Sequence, residues 1–411
     1  MNNNYEGDLS MLHNELILLL ELTNGNDTVT IKEELFLNID WNKFLQLARH
    51  HRVFPLIYSK INKINNEFIP SHVVQTLYQD YKINTIKMLQ LSGEMGEVSE
   101  YFTENSVNLL YLKGPVIANE IYGDISLRTS KDLDILIEKK NYNRVEKLLL
   151  NLGYEKEEHS ITFIDWKWRK HHEAFFHPEK KIQIEIHWRL HPAPTKEPSF
   201  NELWKRKRES KLTGYPVYYL GNEDLFLYLV AHGSRHGWFR LRWLADIDQM
   251  VRKDEITNQD KIILKKFQYY HLGKQNVLLI GQALILASLL LKTPLSKDKH
   301  TYTTGKKSRK LANLAITNIV EIGNTELHNI KEDMNIAQGN YFYSKIRKSF
   351  SFNLYKFSIK SKIQKGIFIL TLLTPSSKDI DTIRLPKPLF FLYFPLRPFL
   401  LFWRKINKNV N

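Results

Sequence analysis

The sequence predicts a protein of the α+β class, a mixed α/β fold in which a mixed β-sheet core is flanked by N-terminal and C-terminal helical regions. Short alternating or apolar runs, typical of strands, occur near residues 107–137 and 172–190. Apolar residues at helical spacing dominate segments on both sides of these runs. A helical run separates the two strand regions, as in an α/β unit, and a hairpin in the second region adds antiparallel pairing.

The composition is that of a folded chain without cysteine. Its 411 residues suffice for two or three structural units, and 43% apolar with 12% aromatic residues exclude a disordered protein. The lack of cysteine excludes disulfides and thiolate metal sites, and the first ten residues lack a secretory signal pattern, so we expect a cytoplasmic protein. The predicted parts are a helical region over residues 1–105, the core over 106–220, a second helical domain over 221–345 and a basic, aromatic and proline-rich tail over 346–411.

The chain carries a strong positive charge. Fifty-nine Lys and Arg residues against 44 Asp and Glu give a formal net charge of +15, and much of the excess lies beyond residue 290. This balance favours polyanionic partners such as nucleic acid, nucleotides or an anionic membrane surface. Solvated helix faces in a lysine-rich chain would give the same composition, so charge alone does not select a partner.

The N-terminal region is predicted to be helical. Amphipathic helices are predicted over Leu9–Leu22 and Trp41–Asn62, and Pro70 precedes a long helical run over His72–Glu104. His50–Val53 lies inside the second of these, where a turn between packed helices is favoured over contact with a ligand. We therefore expect the first of the four parts to contain helices joined by turns.

The core begins with a strand, a glycine turn and a helix. Val107–Leu112 is the predicted strand, Lys113-Gly114-Pro115 the turn and Val116–Tyr122 the helix. A helix that begins at proline after a glycine turn aims backbone N–H groups at an anion. The loop that follows brings cations and a hydroxyl group towards bound phosphates, from Arg128, Ser130 and Lys131.

A short acidic strand follows this loop. In Asp132–Ile137 two aspartates alternate with apolar residues, so the side chains of Asp132 and Asp134 project from one face with their Cα atoms about 6.6 Å apart. Two carboxylates placed in this way can share divalent metal ions. An exposed edge strand carrying two surface acids is the alternative, because an Asp-x-Asp pair by itself is a weak signal.

A third carboxylate is predicted on a later strand. In Lys181–Leu190 isoleucines alternate with polar residues, which places Glu185 and His187 on one face. The strand pattern of His172–His177 and the turn after it make this the second arm of a hairpin. A helix over Asn141–Leu152 connects the acidic strand to this hairpin.

Taken in order, these motifs resemble a known family. Lys-Gly, Tyr-Gly-Asp, Arg, Asp-x-Asp, Gly-Tyr and Glu-x-His-Trp-x-Leu resemble the uncharacterised bacterial nucleotidyltransferases of the DNA polymerase beta-like superfamily, over nearly the whole chain. The resemblance implies a nucleotidyltransferase-like core over residues 106–220. Lys113-Gly114 stands where most relatives have Gly-Ser, so the hydroxyl that usually helps to hold the triphosphate is missing and Lys113 replaces it with a point charge.

The resemblance implies transfer of a nucleoside monophosphate group from an NTP donor, with Mg²⁺ or Mn²⁺ as the cofactor. The catalytic and metal-binding residues would be Asp132, Asp134 and Glu185, and the nucleotide-binding residues Lys113, Gly114, Arg128, Ser130 and Lys131. The acceptor is a hydroxyl or phosphate of a small molecule, peptide, protein or RNA, which the sequence does not identify, and the oligomeric state is equally open. Two alternatives are a catalytically weak nucleotide-binding or regulatory protein on the same fold and a nucleic-acid-binding protein.

A second informative stretch, Leu225–Met250, carries histidines at helical spacing. Two histidines four residues apart can bind zinc, but no further ligand follows nearby, so a metal site is disfavoured here. The resemblance implies a helix that faces substrate or nucleotide, whereas an ion-paired buried turn is the alternative. The candidate substrate-binding residues are His187, His232, His236, Arg240, Arg242 and Asp246.

Two apolar stretches near the C-terminus are too short or too broken to span a membrane. Val277–Leu291 has fewer than the roughly 20 residues that a span needs, and we expect a buried core helix. Leu385–Trp403 is interrupted by four prolines and two cations, so no continuous spanning helix is expected. Packing along the domain surface is favoured for this tail over peripheral contact with an anionic membrane, which is the alternative location.

Overall fold

The structure, a computed structural model, describes residues 12–26, 31–64, 67–157, 170–257, 274–329, 351–375 and 377–407. It confirms the α+β class, because a mixed seven-stranded sheet from the middle of the chain is preceded and followed by helices in these described parts. The boundaries of the four predicted parts remain a prediction.

Among the described residues, four α-helices precede the sheet, and the second and third replace one predicted helix. The helix predicted over Trp41–Asn62 is wrong in its continuity, because Arg52 adopts a left-handed conformation with φ of 57° that ends the first segment. Pro55 then lies in the first turn of the next helix, where proline is tolerated. The helices are α1 (Asn14–Thr23), α2 (Trp41–His51), α3 (Phe54–Lys63) and α4 (Ser71–Glu104), with a 3₁₀ turn at Glu33–Phe36.

The sheet places its acidic strand in the interior. The strands are β1 (Leu109–Tyr111), β2 (Asp132–Ile137), β3 (Glu155–Lys156), β4 (His172–His177), β5 (Ile182–His187), β6 (Arg208–Ser210) and β7 (Val217–Tyr219), in the spatial order β3-β4-β5-β2-β1-β7-β6. Strand β2 pairs in parallel with β5 and antiparallel with β1, and β1 pairs in parallel with β7. Because β2 has a neighbour on each side, the alternative of an exposed edge strand is wrong.

The register of β2 and β5 positions the acids. Asp134 lies opposite Glu185, and the apolar residues Leu133 and Ile135 are fully buried on the other face. The hairpin of β4 and β5 pairs antiparallel, as its sequence pattern predicts. The alternation of polar and apolar residues therefore sends every acid of the two strands to one side of the sheet.

Short helices and turns connect the strands. Helix α5 (Pro115–Tyr122) begins directly after Gly114, whose φ of 98° favours glycine, and this confirms the predicted turn. The helix predicted between β2 and the hairpin is present as α6 (Tyr142–Asn151). The remaining connections include α7 (Phe200–Lys205) and 3₁₀ turns at Ile125–Leu127 and Lys139–Asn141.

The C-terminal helices begin with a pair in the stretch for which the resemblance implies a helix that faces substrate or nucleotide. The stretch Leu225–Met250 divides because Gly237 and Trp238 both have positive φ. The buried Trp238 ring packs so closely on Gly233 that a Cβ there would lie 2.4 Å from it. Residues 351–358 are also helical, and the labelled helices are α8 (Asn222–Arg235), α9 (Leu241–Thr257), α10 (Lys274–Leu291), α11 (Lys297–Thr303), α12 (Lys306–Asn329), α13 (Lys362–Leu373), α14 (Ser377–Thr382) and α15 (Tyr393–Asn407), with a 3₁₀ turn at Lys387–Leu392.

Two predictions about apolar C-terminal segments can be compared with these helices. Helix α10 is a buried core helix, as predicted, with Ala283, Leu284 and Leu286 almost fully inaccessible. Across the described ranges, no helix combines the length and apolar character needed to cross a membrane. The proline-containing tail nevertheless forms α15, which includes Pro398, so proline shortens helical structure here without abolishing it.

A buried ion pair ties the sheet to the C-terminal helices. Arg128, in the loop before β2, donates from Nε to Asp246 Oδ1 at 2.9 Å and from Nη2 to Oδ2 at 3.0 Å. The Tyr122 hydroxyl donates to the same carboxylate at 3.0 Å. Arg128 is 1% exposed and Asp246 is inaccessible, so each charge depends on the other for compensation.

Removal of one charge from this pair is expected to destabilise the fold strongly. Asp246→Ala leaves the Arg128 guanidinium buried without its carboxylate, and we expect a loss of about 3–5 kcal/mol in the free energy of unfolding, measured by urea denaturation. Asp80→Ala is the control, since Asp80 pairs with an Arg49 side chain that is 50% exposed. That change is expected to cost about 0–1 kcal/mol, and equal losses in the two variants would contradict the assignment.

Candidate active site

Three carboxylates face one cavity of about 480 Å³ on the polar side of β2 and β5. They are Asp132, Asp134 and Glu185, the three acids that the sequence predicts to meet. Asp134 is fully buried, whereas the Glu185 side chain is 23% exposed. The strand register therefore produces a graded set of carboxylates, from an inner one to one that a solute can reach.

Asp134 is held by two nitrogen donors. Lys113 Nζ lies 2.8 Å from Asp134 Oδ1, and His187 Nε2 lies 3.1 Å from the same oxygen. Burial opposes ionisation of Asp134, but the Lys113 charge and the His187 hydrogen bond outweigh it and hold the pKa of this carboxyl below its ordinary value. Asp134 is therefore ionised at neutral pH.

His187 links the inner carboxylate to the outer one. Its Nε2 also lies 3.4 Å from Glu185 Oε2. Burial lowers the pKa of His187, but the hydrogen bonds to Asp134 and Glu185 raise it above its ordinary value. The ring of His172 stacks on His187 at 4.8 Å between centroids, and burial followed by repulsion from His187 lowers the pKa of His172 to about 4.

Asp132 differs from Asp134 although it lies on the same strand. Burial and then repulsion from Asp134 raise the pKa of Asp132 to about 6. Lys113 acts in the opposite direction but does not restore the ordinary value. The two aspartates are therefore pushed apart in acidity, a pattern that marks functional sites more often than structural ones.

These residues fit a divalent metal ion. Asp134 Oδ2 is buried and has no hydrogen-bond partner in the described structure, so it is an acceptor with unused capacity. One ligand atom each from Asp134, Glu185 and His187 lies within 4.8 Å of the others, and Asp132 lines the same cavity. Carboxylate oxygens suit Mg²⁺ and Mn²⁺, and the imidazole suits Mn²⁺ better than Mg²⁺.

A second group of potential ligands adjoins the first. His171, His172 and His187 also bring nitrogen atoms within 4.8 Å of one another. His171 Nε2 faces Arg235 Nη1 at 3.4 Å, and burial followed by repulsion from His172 lowers the pKa of His171 to about 2. The His171 ring is therefore neutral and accepts from a cation, which favours a polar contact over a second metal ligand.

Cations line the same cavity as the carboxylates. Among the buried N–H groups of these cations, Nη1 of Arg128 and Nε of Arg242 have no hydrogen-bond partner in the described structure. Buried donors without a partner cost free energy unless a ligand satisfies them, so this wall is suited to an anion. The cations lining the cavity are Arg52, Lys113, Arg128, Lys131, Arg235, Arg240 and Arg242.

Mutual repulsion is evident among these cations. Burial and then repulsion from Arg128 lower the pKa of Arg242 to about 9, and burial followed by repulsion from Arg240 lowers that of Arg52 to about 10. Each of these groups stays charged at neutral pH. Phosphate groups would relieve the repulsion, because they carry the opposite charge.

Most of the other candidate residues lie at this cavity, but two do not. Ser130 lines it and donates to the backbone oxygen of Asp132 at 3.0 Å. His232 and His236 line it beside Trp243, and burial keeps both imidazoles neutral by lowering their pKa values. Gly114 and Asp246 are not among the lining residues. Asp246, in α9, instead forms a buried ion pair with Arg128.

Several lining residues carry little signal in the sequence. Arg52 lines the cavity although the pattern of His50–Val53 favours a turn between packed helices over contact with a ligand, and His171 lies just before a strand whose own pattern gives it no role. Tyr228 and Arg235 project from α8 among residues that are otherwise typical of a packed helix. The adjacent pair His171-His172 is the one feature that could have drawn attention to this wall.

A second cavity of about 510 Å³ adjoins the first. Tyr228 and Arg235 line both cavities, so they form the boundary between them. The second cavity is lined by the 190–198 segment together with parts of α8, α10, residues 359–360 and α13. Its lining combines apolar residues such as Leu279 and Ile280 with amides and charged groups.

Comparison with known proteins identifies the family of the chain. Residues 38–290, more than half of the chain, match the model of a family described as "Uncharacterised nucleotidyltransferase", and the chain belongs to that family. No curated protein matches it. A solved structure described as an antigenic nucleotidyltransferase-like protein from Paracoccidioides brasiliensis is 12% identical, covers 50% of this chain and 94% of that chain, and has a TM-score of 0.28. A TM-score this low adds nothing about fold or function.

The raised pKa of Asp132 predicts that its carboxylate lowers the stability of the metal-free fold while it contributes to metal binding. Because the pKa of Asp132 is about 6 in the folded protein and 3.8 ordinarily, its ionisation lowers the free energy of unfolding. This loss is complete above about pH 6 and vanishes below about pH 4. In buffer with a chelator, Asp132→Asn is therefore expected to gain on the order of 1–2 kcal/mol at neutral pH and nothing at acidic pH. Thermal unfolding across this pH range measures the difference.

The same variant is expected to respond less to metal. Added Mn²⁺ should raise the melting temperature of the wild-type protein, because a ligand that binds the native state stabilises it. The shift should shrink in Asp132→Asn and stay unchanged in Glu138→Gln, which removes a charge at the opposite end of β2. An equal Mn²⁺ response in all three proteins would contradict a metal site at Asp132.

Proposed function

We propose that this protein transfers a nucleoside monophosphate group from an NTP to a hydroxyl or phosphate of an acceptor, with Mg²⁺ or Mn²⁺ as the cofactor. One observation carries the proposal: ionised carboxylates and buried, unsatisfied guanidinium donors line the same cavity. Carboxylates bind metal ions and guanidinium groups bind phosphates, and nucleotidyl transfer requires both. Membership of a nucleotidyltransferase family supports this assignment.

Each side of the cavity has a role in the proposal. Asp132, Asp134 and Glu185 hold the metal ions, which when bound neutralise phosphate charge and increase the acidity of the attacking hydroxyl. Arg128 and Arg242 bind the triphosphate through their free N–H groups, and their fixed positions limit the reorganisation needed in the transition state. Lys131, exposed at the rim, adds charge that attracts the nucleotide.

The proton of an acceptor hydroxyl is assigned to Glu185. The Glu185 carboxylate is more exposed than that of Asp134, and His187 Nε2 lies 3.4 Å from Glu185 Oε2. Burial raises the pKa of Glu185, but the hydrogen bond from His187 outweighs it and keeps this pKa below the ordinary value. Glu185 thus receives the proton as a charged base, and His187 orients it.

The second cavity is the proposed place for the acceptor. It meets the first at Arg235 and Tyr228, so a molecule bound there lies next to the carboxylates without displacing the triphosphate. A volume of about 510 Å³ fits a small organic molecule or the end of a larger chain.

We also place the chain in the DNA polymerase beta-like superfamily, because of the order of its motifs, and in the cytoplasm, because it lacks cysteine.

A catalytically weak, nucleotide-binding protein is the second candidate, and Lys113 favours it. Its ammonium group lies 2.8 Å from Asp134 Oδ1, at a carboxylate that the proposal assigns to metal. An ammonium in this position neutralises the charge of the carboxylate and so competes electrostatically with a divalent cation at Oδ2. Turnover thus requires Lys113 to turn away from Asp134 towards the triphosphate.

Loss of the inner carboxylate is expected to abolish transfer. Incubation of the wild-type protein with labelled NTPs, Mn²⁺ and a panel of acceptors should give labelled product, and Asp134→Asn should lower the rate at least about 100-fold. Glu138→Gln is the matched control, with its carboxylate at the far end of the strand, and should retain full activity. Equal product from wild type and Asp134→Asn would overturn the assignment of the active site.

Substitution of Lys113 separates the two candidates. If Lys113 binds the triphosphate of a true donor, Lys113→Gln should lower the transfer rate about 10-fold to 100-fold and weaken NTP binding, because a point charge on phosphate is lost. If Lys113 blocks the metal site, the same change should tighten Mn²⁺ binding without yielding product. Calorimetry with Mn²⁺ and with a non-hydrolysable NTP measures both affinities.

A further inference from the structure

The C-terminal segment exposes an unusual number of large apolar side chains. In α15 and the 3₁₀ turn before it, the most exposed are Phe391, Phe399 and Trp403, at 63%, 71% and 58% of their full surface. In α13, Ile363 and Leu370 are 70% and 54% exposed. Helices α13 and α15 contact each other, so these side chains belong to neighbouring elements.

Helix α15 carries apolar side chains on two faces. Its inward face buries Tyr393 and Leu400 and also bears Arg397 and Arg404, which bind the fully buried carboxylate of Asp379 in α14. Its outward face carries Phe399 and Trp403, which are four residues apart and so project from the same side. A helix at a water surface normally has one apolar stripe, which is buried, so the additional exposed aromatic residues of α15 call for an apolar environment outside.

The same segment is the most basic part of the chain. Residues 346–411 contain thirteen Lys and Arg and two Asp, and this difference of eleven positive charges is most of the formal net charge of +15 of the whole chain. One of the two acids, Asp379, is buried by its arginine partners and so contributes no negative charge to the surface. Lys362 and Arg384 are exposed beside the apolar residues.

We propose that this surface, formed by α13, the 3₁₀ turn and α15, docks on the interface of an anionic lipid bilayer. Phe and Trp side chains enter the boundary between headgroups and acyl chains, and nearby cations are attracted to anionic headgroups. Charge complementarity selects an anionic bilayer over a neutral one. The absence of a spanning helix among the described residues is consistent with a segment that lies on the surface.

The position of α13 connects this surface to the second cavity. Gln364 Nε2 donates to the backbone oxygen of Pro194 at 2.9 Å and to Thr195 Oγ1 at 3.1 Å, and these three residues line that cavity. A protein docked through this surface therefore holds the second cavity close to the membrane. The docking itself does not depend on nucleotidyl transfer.

Vesicle sedimentation with the full-length protein tests the proposal. We expect binding to phosphatidylcholine vesicles that contain phosphatidylglycerol, much weaker binding to phosphatidylcholine alone, and a decrease as salt is raised. The double variant Phe399→Ser with Trp403→Ser should lower the affinity at least about tenfold, because two interfacial aromatic residues are lost. Leu37→Ser with Leu150→Ser, at isolated exposed leucines elsewhere, should bind as the wild type does.

Charge variants keep the test independent of any folding defect in the aromatic variant. Lys362→Glu with Arg384→Glu should weaken binding to the anionic vesicles and leave the circular dichroism spectrum unchanged. The proposal is overturned if the wild-type protein binds neither vesicle, or if the aromatic variant binds as well as the wild type. Binding of an RNA oligonucleotide without vesicle binding, or an oligomer that Phe399→Ser with Trp403→Ser converts to monomer, would equally overturn it.

Discussion

The parallel pairing of β2 with β5 is the constraint on which the candidate active site depends. It sets Asp134 opposite Glu185 and keeps the intervening apolar residues in the core. A slip of one residue in this register would turn the acids into the core and the isoleucines into the cavity, so the burial of Ile135 and Ile186 secures the position of the carboxylates. Packing of the isoleucines on one face of the sheet thereby keeps the partly desolvated carboxylates in position on the other face.

Opposite charges compensate each other on both sides of the cavity. Lys113 and His187 hold Asp134, while Asp246 pairs with Arg128 and leaves Nη1 of this cavity-lining side chain without a hydrogen-bond partner in the described structure. Each of these partners reduces the free-energy cost of burying the charge of its neighbour. The Asp134 carboxylate and the Arg128 guanidinium still keep an atom without a hydrogen-bond partner in the described structure. A site with unused acceptors near unused donors is prepared for a metal ion together with phosphate groups.

Local patterns predicted the parts of the site that depend on neighbouring residues in the chain. The glycine turn at Gly114, the alternation that sends Asp132 and Asp134 to one face, and the β4–β5 hairpin all follow from spacing within a few residues. The break between α8 and α9 does not follow from such spacing, because the Trp238 ring packs against Gly233 across it. At Arg52 the pattern favours a turn between packed helices over contact with a ligand, whereas the structure has both, a left-handed residue after α2 and a side chain that lines the cavity.

The sequence alone determined the fold class, the strand carrying the paired aspartates and the family to which the chain belongs. Only the tertiary structure decided which groups meet: Lys113 at Asp134, Asp246 behind Arg128, and charge on the inward face of α15. The physical reason is that periodicity reports which face of an element is apolar, whereas ion pairing depends on distances between elements far apart in the chain. Those distances are set by the packing of the whole core, which cannot be predicted from any single segment.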